Sequence, residues 1–212
     1  MNDPDFIFLN ETQIFQFDLH QVTQLFHGEY CHALNSDDLH DPELGLLRNR
    51  AHGGTMVLWR RSLDKFISVL PCTTSSFLPI LLSYPGCPAT VHVALYLPTS
   101  GRESQFVEEI SKLRVFLEEH QEIYPDHHIY IRGDSNVNSN HSNRMRIFRN
   151  FLSTLLLKSS HIPHKTYHHF CGNGVFDSNI DVILHSLNCL YPENIKSIFC
   201  RSEHPSIESH MT

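Results

Sequence analysis

Short apolar runs separated by turn residues set the rhythm of this chain. Phe6-Ile7-Phe8-Leu9 predicts a strand that stops at Asn10-Glu11-Thr12, because a β-branched and aromatic run bounded by polar turn formers fits a pleated, buried position. Residues 13 to 50 are mostly polar and rich in histidine, with a short helical stretch around Gln21 to Phe26. Gly53-Gly54 leads into Thr55-Met56-Val57-Leu58-Trp59, and Phe66-Ile67-Ser68-Val69-Leu70 follows; the two runs read as a strand pair. Val91-His92-Val93-Ala94-Leu95-Tyr96 is another strand, closed by Leu97-Pro98-Thr99-Ser100-Gly101.

Helical spacing then takes over. Ser104 fits the N-cap of a helix to about Glu119, with Phe106, Val107, Ile110, Leu113, Phe116 and Leu117 at the three- and four-residue spacing of one buried face. His128-Ile129-Tyr130-Ile131 is a further strand, ending in the turn Arg132-Gly133-Asp134-Ser135-Asn136-Val137-Asn138. A second helix runs from about Asn143 to Leu157, with Ile147, Phe148, Phe151, Leu152 and Leu155 facing in. Ile180 to Leu184 is a late strand with Asp181 inside an apolar run. No internal repeat and no splitting linker interrupts the chain, so residues 1–212 are expected to form one domain.

The turn after Ile131 carries the most informative chemistry. Asp134 and Asn136 stand two positions apart at a strand end, and alternation would point both to the same side, where an α/β sheet usually keeps its site. A carboxylate there can take a proton from water or hold a hard cation, and an amide can orient a substrate oxygen without carrying charge. Asp, Ser and Asn also dominate ordinary turns, so the pattern gains meaning only from its company.

Composition narrows the function class. The formal charge of -7 argues mildly against a nucleic-acid partner, although Arg60-Arg61 and Arg144-Arg146-Arg149 would make local basic patches. The chain has no run of eighteen apolar residues, hence no membrane span is expected, and its start lacks the basic patch and apolar core of a signal peptide. Cys31, Cys72, Cys87, Cys171, Cys189 and Cys200 are scattered without Cys-x-x-Cys spacing, which fits reduced thiols in an intracellular protein.

Phe8-Leu9-Asn10-Glu11-Thr12, Gly53-Gly54-Thr55-Met56-Val57-Leu58-Trp59-Arg60, Tyr96-Leu97-Pro98-Thr99-Ser100-Gly101, Gly133-Asp134-Ser135-Asn136-Val137 and Ser178-Asn179-Ile180-Asp181-Val182-Ile183-Leu184 resemble, in order, the motifs of the endonuclease/exonuclease/phosphatase superfamily. Within it the chain looks most like the endonuclease domain of non-LTR retrotransposons. The resemblance spans Phe6 to His210 and implies an α+β fold: a four-layer α/β/β/α sandwich of two packed mixed sheets. It implies Mg²⁺-dependent hydrolysis of a DNA phosphodiester by an activated water, with Mn²⁺ as a second candidate ion. Glu11 matches the metal-binding glutamate, a hard oxygen ligand suited to an ion that keeps most of its waters. Asp134 matches the aspartate that activates water, Asn136 its orienting neighbour, and Tyr96 the tyrosine whose hydroxyl meets the phosphate. Asp181, costly inside an apolar strand without a partner, matches an aspartate paired with a C-terminal histidine, here His210. Thr166 and His168 match a loop that touches the substrate backbone.

Two departures stand out. No strand bearing a metal-site Asn, and no helix after it, precede Phe6, so the domain is expected to be incomplete at its N-terminus. Ser209 stands where many members carry Asp before the final histidine. The resemblance implies DNA as partner, a nuclear location for an active enzyme, and a reverse transcriptase on the same element but outside this chain. Competing readings are a non-catalytic remnant with weak nucleic-acid binding and a phosphoesterase of the same fold acting on another ester, as phosphoinositide phosphatases, sphingomyelinases and deadenylases do. Arg132-Gly133-Asp134 as an adhesion tripeptide would need an exposed loop in a secreted protein. A zinc site at His161, His164, His168, His169 and Cys171 matches no standard finger spacing.

Overall fold

A computed structural model describes residues 4–15, 18–26, 28–37, 53–137, 142–160, 167–171, 174–178 and 181–186. In chain order the elements are β1 (Phe6–Asn10), α1 (Leu19–Leu25), β2 (Tyr30–Asn35), β3 (Thr55–Arg60), a 3₁₀ helix (Arg61–Phe66), β4 (Ile67–Val69), β5 (Phe77–Leu82) and β6 (Thr90–Tyr96). They continue with α2 (Glu103–Ile123), β7 (His128–Asp134), α3 (Ser142–Thr154), β8 (Leu157–Ser159), β9 (Tyr167–Cys171), β10 (Gly174–Ser178) and β11 (Asp181–Ser186). Among the described residues, β1-β3-β2 form a small antiparallel sheet and β4-β5-β6-β7-β11-β8 a larger mixed one. The single parallel step in the larger sheet joins β6 to β7, and α2 makes that crossover. β9 and β10 form a separate hairpin.

The layers follow from which residues face which side. In β3, Val57 and Trp59 pack between the sheets with Leu78, Ile80 and Ala94, while Met56 and Leu58 pack with Val22 of α1 on the other side. In β6, Val91, Val93 and Leu95 join Phe106, Ile110, Leu113 and Leu117 of α2 and Phe148 and Phe151 of α3. Both strands are covered on both faces, which is why their sequences read as unbroken apolar runs and not as alternation. The order is therefore helix, small sheet, large sheet, helices: the four-layer sandwich. Leu113 is fully buried at the centre of the outer core. Leu113→Ala is expected to cost about 2–5 kcal/mol, read as a fall in the urea midpoint at unchanged m-value.

His92 explains a polar residue in the β6 run. Its ring stacks between Phe6 (5.1 Å) and Tyr130 (5.2 Å) in the space between the sheets, and its Nε2 lies 2.9 Å from Thr90 Oγ1. Burial, aided by the Arg132 charge, pulls its pKa down to about 3, so the imidazole stays neutral.

Several sequence expectations need correction. The runs at 55–59 and 66–70 do not pair: β3 lies in the small sheet and β4 in the large one, with the 3₁₀ helix carrying the chain across. β2 was hidden because it mixes half-buried Cys31 and His32 and buried Asn35 with Ala33 and Leu34. β5 contains Pro79, which argues against an interior strand; it is tolerated because β4 ends at Val69, opposite Ile80, just where Pro79 needs no donor. α2 begins at Glu103 and ends at Ile123, with Arg102 and not Ser104 at the N-cap position. α3 stops at Thr154; Leu156 then turns with a φ of 50°, and β8 starts at Leu157. Asp181 opens β11 and is not buried within it. Among the described residues no helix is long and apolar enough to cross a membrane.

Candidate active site

The ends of four strands bring the acidic residues together. Tyr96, the last residue of β6, pairs in register with Asp134, the last of β7, and Asp134 pairs with Asp181, the first of β11. One rung of the large sheet thus carries a phenol and two carboxylates. Side-chain parity places them between the sheets: Tyr130 stacks on His92, and Arg132 lies 5.0 Å over the Phe8 ring, so Asp134 is next on that face. From the small sheet, β1 delivers Glu11, whose carboxylate accepts a hydrogen bond from the Tyr96 hydroxyl. Glu11 leaves the strand with a φ of 50°, and the following backbone is pinned by Thr12 N to Gly54 O (3.2 Å) and Gln13 N to Gly53 O (3.0 Å). Gly54 holds a φ of 97° there, which side chains rarely adopt, and a Cβ would lie 2.6 Å from Thr12 Oγ1, so that hydroxyl would have to turn away. The double glycine is the seat for the turn that presents Glu11.

The turn after β7 is laced to the loop after β6. Leu97 N donates to Asp134 O (2.9 Å), and Asn136 N donates to Asp134 Oδ1 (2.7 Å). Asn136 does not continue the strand alternation: its φ is 50°, and its Nδ2 donates to Leu97 O at 2.7 Å. The expectation that Asp134 and Asn136 present side chains side by side is thereby corrected. Asn136 ties the two loops together and holds one Asp134 oxygen, leaving the other for chemistry.

Electrostatics single out Asp134. Desolvation pushes its pKa up to about 7, Asp181 and Glu11 add to the rise, and the Asn136 amide opposes it. A carboxylate tuned near neutrality, crowded by two others, is suited to accept a proton. The Tyr96 phenol is raised by burial and by donating to Glu11, so it stays protonated and can donate to an anion.

The donors present suit a hard divalent cation. Asn10 Oδ1, Thr12 Oγ1 and Thr55 Oγ1 are buried and have no hydrogen-bond partner among the described residues. Asn10 and Thr55 face each other across β1 and β3, beside Glu11. Among the described residues, no three histidine, cysteine or acidic side chains form a closed metal cage; Mg²⁺ commonly uses one or two carboxylates and keeps several waters. Glu11 is the exposed carboxylate of the group. Sequence reasoning missed the polar layer of Asn10 and Thr55, whose signal is an amide and a hydroxyl ending two apolar strands.

Of the other expected site residues, His210 and Thr166 lie outside the described residues, and His168 falls in β9, whose backbone alone is described. Most of the proposed zinc constellation shares that position. Cys31, Cys72 and Cys87 are free thiols.

No protein-family model matches the chain, and no curated protein does. Solved structures do. The D. rerio TDP2 structure, complexed with a single-strand DNA product, is 16% identical over 86% of this chain and 71% of that one, at a TM-score of 0.54. A C. elegans TDP2 structure gives 0.55 at 14% identity, and this chain covers 55% of it. The endonuclease domain of TRAS1, a telomere-specific non-LTR retrotransposon, gives 0.52 at 12% identity over 75% and 68% of the two chains. The human Nocturnin catalytic domain gives 0.55 at 16% identity over 87% and 70%. At such identities the likeness concerns the fold. This chain has the fold of the endonuclease/exonuclease/phosphatase superfamily.

Proposed function

We propose that this chain is a metal-dependent phosphodiesterase that nicks DNA. The observation that carries the reading is the rung Tyr96–Asp134–Asp181 facing Glu11, with Asp134 tuned to about 7. Glu11, with the neighbouring oxygens of Asn10 and Thr55, would hold Mg²⁺ or Mn²⁺. When bound, the ion neutralises a phosphate oxygen and stabilises the charge that develops during hydrolysis. Asp134 accepts a proton from water as its oxygen attacks phosphorus. The bond to the 3′ oxygen breaks in the same displacement, with no covalent enzyme intermediate, and that oxygen takes a proton from bulk water, leaving a 5′-phosphate and a 3′-hydroxyl. Tyr96 donates to a non-bridging phosphate oxygen. Asp181 raises the basicity of Asp134 in this scheme and would pair with His210; Thr166 and His168 would contact the DNA backbone.

The TRAS1 neighbour supports the finer reading of a retrotransposon-derived endonuclease, acting in the nucleus, whose nick primes a reverse transcriptase carried elsewhere on the element. The whole of 1–212 would serve as one domain. A direct test offers supercoiled plasmid and, as a phosphodiester of another kind, an RNA ending in a 2′,3′-cyclic phosphate. The reading predicts relaxed plasmid and intact rings. Ring opening with intact plasmid would move the substrate to RNA ends, and no reaction by folded protein would leave the non-catalytic remnant.

A further inference from the structure

α3 carries a charge that the proposed reaction does not use. Sequence alone groups Arg144 with Arg146 and Arg149 as a basic patch, yet Arg144 is 1% exposed. Its guanidinium spends its donors inward. Nε donates to Glu103 Oε2 (2.7 Å), Nη1 to Pro98 O (2.7 Å) and Asn136 O (3.2 Å), and Nη2 to Thr99 O (2.7 Å). Its Cζ sits 4.5 Å over the Phe106 ring. Burying a charge is unfavourable unless it is paired and its donors are satisfied, and here the partners are chosen tellingly. Three are main-chain oxygens in the two loops that follow Tyr96 and Asp134. The fourth is the first residue of α2.

We infer that Arg144 is a positioning residue for the site: it latches the β6–α2 loop to the β7–α3 turn and so fixes the Asp134 carboxylate. The chain of contacts is short. Nη1 bridges Pro98 O and Asn136 O; Asn136 in turn donates its amide N–H to Asp134 Oδ1 and its side chain to Leu97 O. Asn136 holds a left-handed φ of 50°, a conformation that few side chains adopt and that asparagine tolerates best when its amide is hydrogen-bonded, as it is here to Leu97 O. The planar fork of arginine can reach three diverging carbonyls at once; lysine offers one point charge. The effect on catalysis rests on the phosphodiesterase reading, whereas the latch itself does not.

The test uses full-length Arg144→Met and Arg144→Lys, with folding checked by circular dichroism. Hydrogen exchange at the Leu97 and Asn136 amides is expected to speed up in Arg144→Met while the Val93 amide in β6 keeps its protection. Nicking is expected to lose about 10²-fold in kcat with KM nearly unchanged, as small misplacements of a catalytic group do, and lysine is expected to restore part of it. Unchanged exchange at both amides in the folded variant would overturn the latch. Altered exchange with unchanged kcat per folded molecule would overturn its role in positioning. If Arg144→Met does not fold, the same readouts in Arg144→Lys decide. A wild-type chain that does not nick would sink the functional reading and leave the exchange result to judge the latch.

Discussion

Gly133→Ala is expected to yield no stable protein. Gly133 has a φ of 141°, and a Cβ built on it would lie 2.0 Å from the Leu95 carbonyl oxygen and 2.9 Å from Asn10 Nδ2. Leu95 is the register partner of Gly133 in the parallel β6–β7 pair, so its carbonyl cannot retreat without opening the ladder that aligns Tyr96 with Asp134. Left-handed backbone strain of roughly 1–2 kcal/mol adds to an overlap with main chain, which no rotamer change relieves. The sum is on the order of 5 kcal/mol, the lower end of a domain's whole stability. Gly86→Ala is the matched control: its φ is 79° but nothing lies within 4 Å of the new methyl, so only the backbone strain remains. Urea melts of the two variants separate the effects. A Gly133→Ala protein that melts within about 1 kcal/mol of wild type would show that β6 and β7 do not approach as described.

Asp134→Asn is expected to remove activity while stabilising the chelated protein at alkaline pH. Loss of a general base costs about 10²- to 10⁴-fold in rate. The stability effect follows from the sign of the shift. The carboxyl rises from 3.8 to about 7 on folding, chiefly through burial. Between those values the folded chain keeps a proton that the unfolded chain has released, so stability falls as pH rises through that window and stays lower above it. A neutral amide in place of the carboxyl would carry no such penalty. Thermal melts in chelator should therefore show the variant gaining on wild type between pH 4 and pH 8 and keeping that lead above. Nicking by wild type should rise with pH as the Asp134 carboxyl gives up its proton, and Asp181→Asn should move that limb to lower pH by removing a charge that raises Asp134. A variant with no gain at pH 8 would mean that the carboxyl is not held out of water.

How much of this was legible beforehand differs by element. β3 and β6 could be read because each is buried on both faces, so apolar character is continuous and needs no partner to be seen. β2 and β5 could not. Cys31, His32 and Asn35 make sense only beside β3, and Pro79 only beside the short end of β4. The order of motifs marked Glu11, Tyr96, Asp134 and Asp181, and the strand register brings Tyr96, Asp134 and Asp181 onto one rung. The three-dimensional role of Asn136 was out of reach, because a left-handed residue breaks the alternation on which the sequence argument stood. Arg144 was misread for a similar reason: an arginine beside Arg146 and Arg149 in an amphipathic helix looks solvated until the Pro98 and Thr99 carbonyls it binds, 46 and 45 residues away in the chain, are brought beside it.

In the proposed reaction this rung of side chains hydrolyses a DNA phosphodiester with a divalent cation. The most direct measurement is relaxation of supercoiled plasmid by wild type and by Asp134→Ala, each with Mg²⁺ and with chelator. Nicking by wild type that requires the ion and vanishes in the variant is the predicted result. Folded wild type that leaves the plasmid supercoiled, or an Asp134→Ala protein that nicks as well as wild type, would contradict it.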